Sequence, residues 1–146
     1  MTKKLTQRDK ATAKQLFLKV FTDAPWHDHW DEKQIDLYMI DLMDNPNSLS
    51  IGYYKDDTLI GLSFGYIYHW WQGTDYFVKE LCIDQDHQNQ GHGKEFLKEL
   101  EPYLKTIGIT AYYLNTERDV DAYHFYLKQG FTELKGYVML AKSLKE

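Results

Sequence analysis

Residues 88–98 carry the most specific chemistry in the sequence. Gln88, Gly91 and Gly93 stand where an apolar stretch ending at Ile83 gives way to an amphipathic pattern with Phe96, Leu97 and Leu100. A helix that starts in such a glycine turn has first-turn N–H groups with no intrahelical partner and the positive end of its dipole there, so the joint attracts anions. Phosphate suits these residues. Glycines carry no Cβ to hold a pyrophosphate away from the amides, and Lys94 and Lys98 add positive charge. An ordinary strand-to-helix turn with glycines for geometry is the competing reading.

Two familiar phosphate loops do not fit. A dinucleotide fingerprint needs Gly or Ala three residues after the second glycine, where this chain has Phe96. A P-loop needs four residues between its glycines and then Lys with Ser or Thr, whereas one residue separates Gly91 from Gly93 and Glu95 follows Lys94.

The segment closely resembles the GNAT superfamily of acyl-CoA-dependent N-acetyltransferases, whose central motif is an apolar strand end followed by R/Q-x-x-G-x-G/A. Leu81, Cys82 and Ile83 match the strand end, Gln88 the Arg or Gln, and Gly91 and Gly93 the glycines. Downstream, Ala122, Phe125, Tyr126, Gly130 and Phe131 match a second family motif, A-x-x-x-Y-x-x-x-G-F, in the right order. The chain departs from the family at Asp119, where members often carry Asn.

The resemblance implies acetyl-CoA as cosubstrate, contacted by Leu81, Cys82, Ile83, Gln88, Asn89, Gln90, Gly91, His92, Gly93, Lys94 and Asn115. It implies that the pantetheine arm enters between two splayed parallel strands, with the thioester near Leu81 to Ile83, where a backbone N–H stabilises the oxyanion as an amine attacks directly. Tyr126 matches the tyrosine that protonates the departing thiolate; its phenol, with an ordinary pKa near 10, holds a proton to deliver. On the residues alone, Tyr126 reads as a core tyrosine on a helix face. Glu80 is the candidate general base, with a solvated strand carboxylate as the alternative, since strand alternation puts it on the side of Cys82 only if no bulge intervenes.

Trp26 and Trp30 fall in the segment joining the first two helices, and Trp70 and Trp71 in a later turn, which in the family close over the acceptor. Aromatic faces with Asp28, Asp31, Asp75 and Glu80 predict a cationic acceptor between the clusters: an aminoglycoside, a polyamine or a basic peptide amine. The other reading of the tryptophans is packing. His27 and His29 lack a third metal ligand in sequence, so no metal is assigned. An acyl-CoA sensor without turnover and a partner-binding domain stay as alternatives to an enzyme. A homodimer is carried as an option because the family often forms dimers.

The elements that must position these groups follow from periodicity. The 146 residues form one N-acetyltransferase domain, 1–146, with no linker-like run. Helices are predicted over 9–21 and 31–43, after the glycine loop with Phe96, Leu97, Leu100, Tyr103 and Leu104 buried and a kink or break near Glu101 because of Pro102, and over 120–129 capped by Asp119. Strands are predicted over 48–54, 58–70, 76–83, 109–115 and 137–142, the last paired with 131–134, and bulges at Gly61 and Gly65. The expected fold is α+β: a mixed, mostly antiparallel central sheet of about six or seven strands with a splayed parallel pair, flanked by about four helices. The net charge of −5 argues against nucleic acid or an anionic membrane as partner. The lone Cys82 and the absence of an apolar leader or spanning run predict a cytoplasmic location, with Cys82 a buried structural thiol.

Overall fold

The helical spacing of Ala13, Leu16, Phe17 and Val20 becomes one buried stripe of α1 (Lys10–Phe21) in the computed structural model, which describes residues 1–146. Before it, Thr6 and Asp9 cap a short 3-10 turn reciprocally: the Thr6 N–H donates to Asp9 Oδ2 at 2.8 Å and the Arg8 N–H to Thr6 Oγ1 at 3.4 Å. Helix α2 (Glu32–Met43) starts on Asp31, whose Oδ1 accepts from the Gln34 N–H at 2.7 Å, and it buries Ile35, Met39 and Leu42. Each such cap contributes about 1 kcal/mol by satisfying an orphan donor.

The chain divides into two compact units, Met1–Asn115 and Thr116–Glu146. The first holds a five-stranded sheet in the order β1 (Thr2–Lys4), β2 (Ser48–Lys55), β3 (Thr58–Trp70), β4 (Gly73–Ile83), β5 (Ile109–Leu114). All neighbours are antiparallel except β4 and β5, which are joined through the crossover helix α3 (His92–Thr106) and run parallel. Asp56 and Asp57, at φ 48° and 64°, make the β2–β3 turn with the left-handed pair that a tight hairpin requires. Helices α1 and α2 cover one face, packing on Leu62, Phe64 and Cys82. Helix α3 buries Phe96, Leu97, Leu100 and Leu104, with Phe96 stacked on Tyr53 at 5.4 Å.

Bulges lie beside both predicted glycines. The pairing skips Ile60 between Tyr53 and Tyr54, next to Gly61, and skips Lys79 between Phe64 and Gly65. Gly65 is required by close approach: a Cβ there would lie 2.3 Å from the Phe77 carbonyl oxygen and 2.6 Å from the Tyr76 ring.

Three expectations are corrected, and one strand lies outside them. Helix α3 is not broken at Glu101; it runs through Pro102, because one lost bond to the Lys98 carbonyl is outweighed by the buried Leu100 and Leu104 on either side. Strand β1 escaped the reading because it is three residues long and tied by backbone and by the Thr2 N–H bond to Glu99 Oε1 at 2.8 Å, not by an apolar pattern. In the second unit, α4 (Asp121–Lys128) has no side-chain cap, since Asp119 adopts φ 63° and Val120 takes the cap position. The strands predicted over 131–134 and 137–142 are not formed: Tyr137, Val138, Met139 and Leu140 bury no face in this unit, and a strand without a partner has nothing to hold it. The sheet counts five strands, near the approximate number expected, and is the mixed, mostly antiparallel sheet with one parallel pair that the sequence predicts.

Candidate functional site

The parallel ladder between β4 and β5 starts at Thr74↔Ile109 and stops at Val78↔Leu114. Beyond that point, Glu80, Leu81, Cys82 and Ile83 remain paired to β3 but have no partner on β5. The two parallel strands thus part over the stretch expected to meet the thioester. Asn115 follows directly at the end of β5 and is exposed.

At the end of β4 the chain turns through a 3-10 turn into Gln88 and then α3. The Gln88 Nε2 donates to the Ile83 carbonyl at 2.9 Å, which folds the loop against the strand end. Asn89 sits at φ 60° and Gly91, the N-cap of α3, at φ 82°. The first bond of the helix is Glu95 N–H to the Gly91 carbonyl at 3.1 Å, so His92, Gly93 and Lys94 present first-turn N–H groups with no intrahelical acceptor. A Cβ at Gly91 would meet nothing within 4 Å, so the space beside Gly91 is open. Gln90 is exposed and its Nε2 reaches the Asp86 carbonyl at 3.4 Å, while Lys94 is exposed. These features fit a pyrophosphate: orphan donors, a positive helix end and a lysine.

An ion pair of the exposed Lys19 with the buried Asp84 anchors this loop to α1. Lys19 Nζ lies 2.7 Å from Asp84 Oδ1 and 2.7 Å from Asp86 Oδ2, and the Gln85 Nε2 donates to the Lys19 carbonyl at 2.8 Å. Burial works to raise the Asp84 carboxyl, but the Lys19 ammonium and the Asp86 N–H outweigh it and hold it below the usual range. Sequence reasoning missed this anchor because its partners are 65 residues apart.

The Lys79 bulge comes before Glu80, so Glu80 and Cys82 do lie on the same face, toward α1 and α2. There the Tyr38 hydroxyl donates to Glu80 Oε2 at 2.5 Å. Trp30 stacks on Tyr38 with centroids 5.1 Å apart and planes at 16°, and its Nε1 donates to Asp28 Oδ2 at 3.1 Å. Phe17 closes the cluster with its ring 5.8 Å from each of the two. Burial pushes the Glu80 carboxyl above its ordinary value, the Tyr38 bond and Lys79 pull it back, and Asp28 raises it again. Burial and Glu80 push the Tyr38 phenol far up, so it keeps its proton and stays the donor. Tyr38 was legible as a core-face residue of α2; its bond to Glu80 was not.

The other predicted residues fall as follows. Cys82 is buried, and burial raises its thiol, which keeps it protonated and inert. Trp26 packs on Phe21 at 5.6 Å beside the Trp30 cluster. Trp70 and Trp71 touch each other at 6.5 Å at the β3–β4 turn. Trp70 is six residues along β3 from Phe64, the partner of Glu80, or about 20 Å at the strand rise. The two tryptophan clusters therefore do not bracket one ammonium. No group of three or more His, Cys, Asp or Glu is close enough to hold a metal ion.

In the second unit Tyr126 belongs to a helix-ending motif. Gly130 is at φ 94°, its N–H donates to the Leu127 carbonyl at 3.1 Å, and the Phe131 N–H donates to the Tyr126 carbonyl at 3.1 Å. The Tyr126 and Phe131 rings meet edge to face at 5.4 Å, the apolar contact that completes such a cap.

The fold recurs in solved structures. An aminoglycoside acetyltransferase, meta-AAC0020, from an uncultured soil metagenomic sample in complex with sisomicin is 17% identical, with 99% of this chain and 96% of that chain covered and a TM-score of 0.76. A GNAT family acetyltransferase of Staphylococcus aureus is 16% identical over 99% and 98% with a TM-score of 0.74. A ribosomal-protein-alanine N-acetyltransferase of Brucella melitensis biovar Abortus is 15% identical over 98% and 98% with a TM-score of 0.76. No curated protein sequence matches the chain. The sequence model of the acetyltransferase (GNAT) family matches residues 11–131, and the chain belongs to that family. It is an acyl-CoA-dependent N-acetyltransferase of the α+β GNAT fold, and none of its helices is long and apolar enough to cross a membrane.

Proposed function

We propose that the protein transfers the acetyl group of acetyl-CoA directly to a cationic primary amine, of the class of polyamines, aminoglycosides or basic peptide amines. The observation that carries this reading is Glu80: a half-buried carboxylate on the stretch of β4 that has no partner on β5, held by Tyr38 at 2.5 Å, with Trp30 stacked on Tyr38 and bonded to Asp28. Aromatic faces and two carboxylates favour an ammonium group there, and a carboxyl raised by burial is a better match to a base working near neutral pH.

In this mechanism Glu80 takes a proton from the bound ammonium, directly or through a water. The neutral amine attacks the acetyl carbon, a backbone N–H in the Leu81 to Ile83 stretch supports the charge that develops on the thioester oxygen, and the C–S bond breaks. Tyr126 is assigned delivery of the proton to the departing thiolate by its place in the matched motif. The pyrophosphate falls to the Gln88 to Lys94 loop, with Asn115 at the end of β5 as a further contact.

Thiol release from acetyl-CoA across a panel of amines tests the reading. Turnover with cationic primary amines, and little with neutral or anionic ones, is the expected result. Binding of CoA without turnover would replace the enzyme by a sensor, and neither binding nor turnover would leave a partner-binding domain.

A further inference from the structure

Beyond Phe64, strand β3 places an aromatic side chain at every second residue: Tyr66, Tyr68 and Trp70. These share the face of Glu80, because Phe64 is the direct partner of Glu80 and side chains two apart on a strand point the same way. On the neighbouring strands the same face carries Asp75, opposite Tyr68, and Phe77, opposite Tyr66, with Tyr113 of β5 packed on Phe77 at 5.3 Å. The far end is open: Tyr68 is 47% and Trp70 60% exposed. The carboxylates are distributed along it as well. The Tyr66 hydroxyl donates to the Asp41 carbonyl at 2.6 Å, Glu80 pairs with Phe64 and Asp75 with Tyr68, and besides burial Asp41 and Glu80 act to raise the Tyr66 phenol and Asp75 the Tyr113 phenol. Lys79, the skipped residue of the bulge, is a cation that acts to lower the Glu80 carboxyl.

We infer that the acceptor face extends along β3 and selects a linear oligoamine: the reacting amine sits at Glu80, and a second, non-reacting ammonium sits on Tyr68, Trp70 and Asp75 near the β3–β4 turn. The inference rests on Glu80 as the reacting end of the acceptor site. It also gives the second tryptophan cluster a use that a single ammonium cannot, since the turn lies about 20 Å along the strand from the level of Glu80. Charge complementarity chooses the occupant. An apolar peptide would leave Asp75 and Asp41 unmatched, whereas spaced ammonium groups meet a carboxylate or an aromatic face along the way.

The test is calorimetric, so that a catalytically silent protein still answers. CoA-saturated wild type, Trp70→Ala and Asp75→Asn are titrated with spermine and with 1,3-diaminopropane. Spermine is expected to bind wild type at least about tenfold more tightly than the short diamine. Either substitution should weaken spermine roughly fivefold and the short diamine by less than about twofold, the scale of one cation–aromatic or surface charge contact. Equal affinity of the two amines for wild type, or equal losses for both in Trp70→Ala, would overturn the inference. Length-independent binding together with thiol release from short amines sinks the extension alone. Length-dependent, Trp70-dependent binding without thiol release sinks the transfer reading and keeps the extended cation site.

Discussion

Two motif glycines adopt the same left-handed backbone, Gly91 at φ 82° and Gly130 at φ 94°, and serve opposite ends. At Gly130 the cap is closed: its own N–H and that of Phe131 are taken by carbonyls of α4, and Phe131 packs on Tyr126. At Gly91 it is open, because α3 begins there and the next three N–H groups have no acceptor within the helix. The difference teaches how to read a motif glycine. Where the surrounding amides are satisfied, the glycine ends a helix; where they are left over, donors remain, and the proposed function gives them to an anion.

The sharpest way to break that contrast is at Tyr126, which stands in the closed motif yet is assigned a chemical role. Tyr126→Phe keeps a ring against Phe131, and kcat should fall by up to about 10²-fold, read by steady-state thiol release on the folded variant. An undiminished kcat would reduce the second motif to a helix cap. Gly91→Asp should raise the CoA dissociation constant at least about tenfold by setting a carboxylate against the positive helix end, with calorimetry on the folded variant as the check. Gly130→Ala should cost about 1–2 kcal/mol in denaturant unfolding through its left-handed backbone, and leave CoA affinity within about twofold. The smallest effect belongs to neither joint. The Tyr38 bond lowers the Glu80 carboxyl, so Tyr38→Phe lets it rise, leaves the base protonated to higher pH, and moves the acid limb of kcat/KM upward in a pH–rate profile.

Both joints were legible in sequence because each is local: glycines at fixed spacing from an apolar strand end or from a helical Tyr. The glycine pair in β3 likewise marked the bulges, one of which turns Glu80 toward α2. What could not be read is what crosses the sheet. Tyr38 and Glu80 are 42 residues apart and Lys19 and Asp84 are 65 apart, and neither pair has a local pattern to give it away. Pro102 pointed to a kink or a break, and propensity ignored the buried leucines that carry α3 past it without a break. The terminal stretch 131–142 has the composition of strands, but strands exist by pairing, and composition does not supply a partner.

Glu80 as base is tested most directly by the pH dependence of kcat/KM for a primary amine in wild type and Glu80→Gln. The raised carboxyl predicts a wild-type acid limb above the ordinary carboxylate range, with activity lost as pH falls through it. In Glu80→Gln that limb should vanish and kcat/KM should drop on the order of 10²-fold at neutral pH. A folded Glu80→Gln enzyme that keeps both the rate and the limb would contradict the assignment.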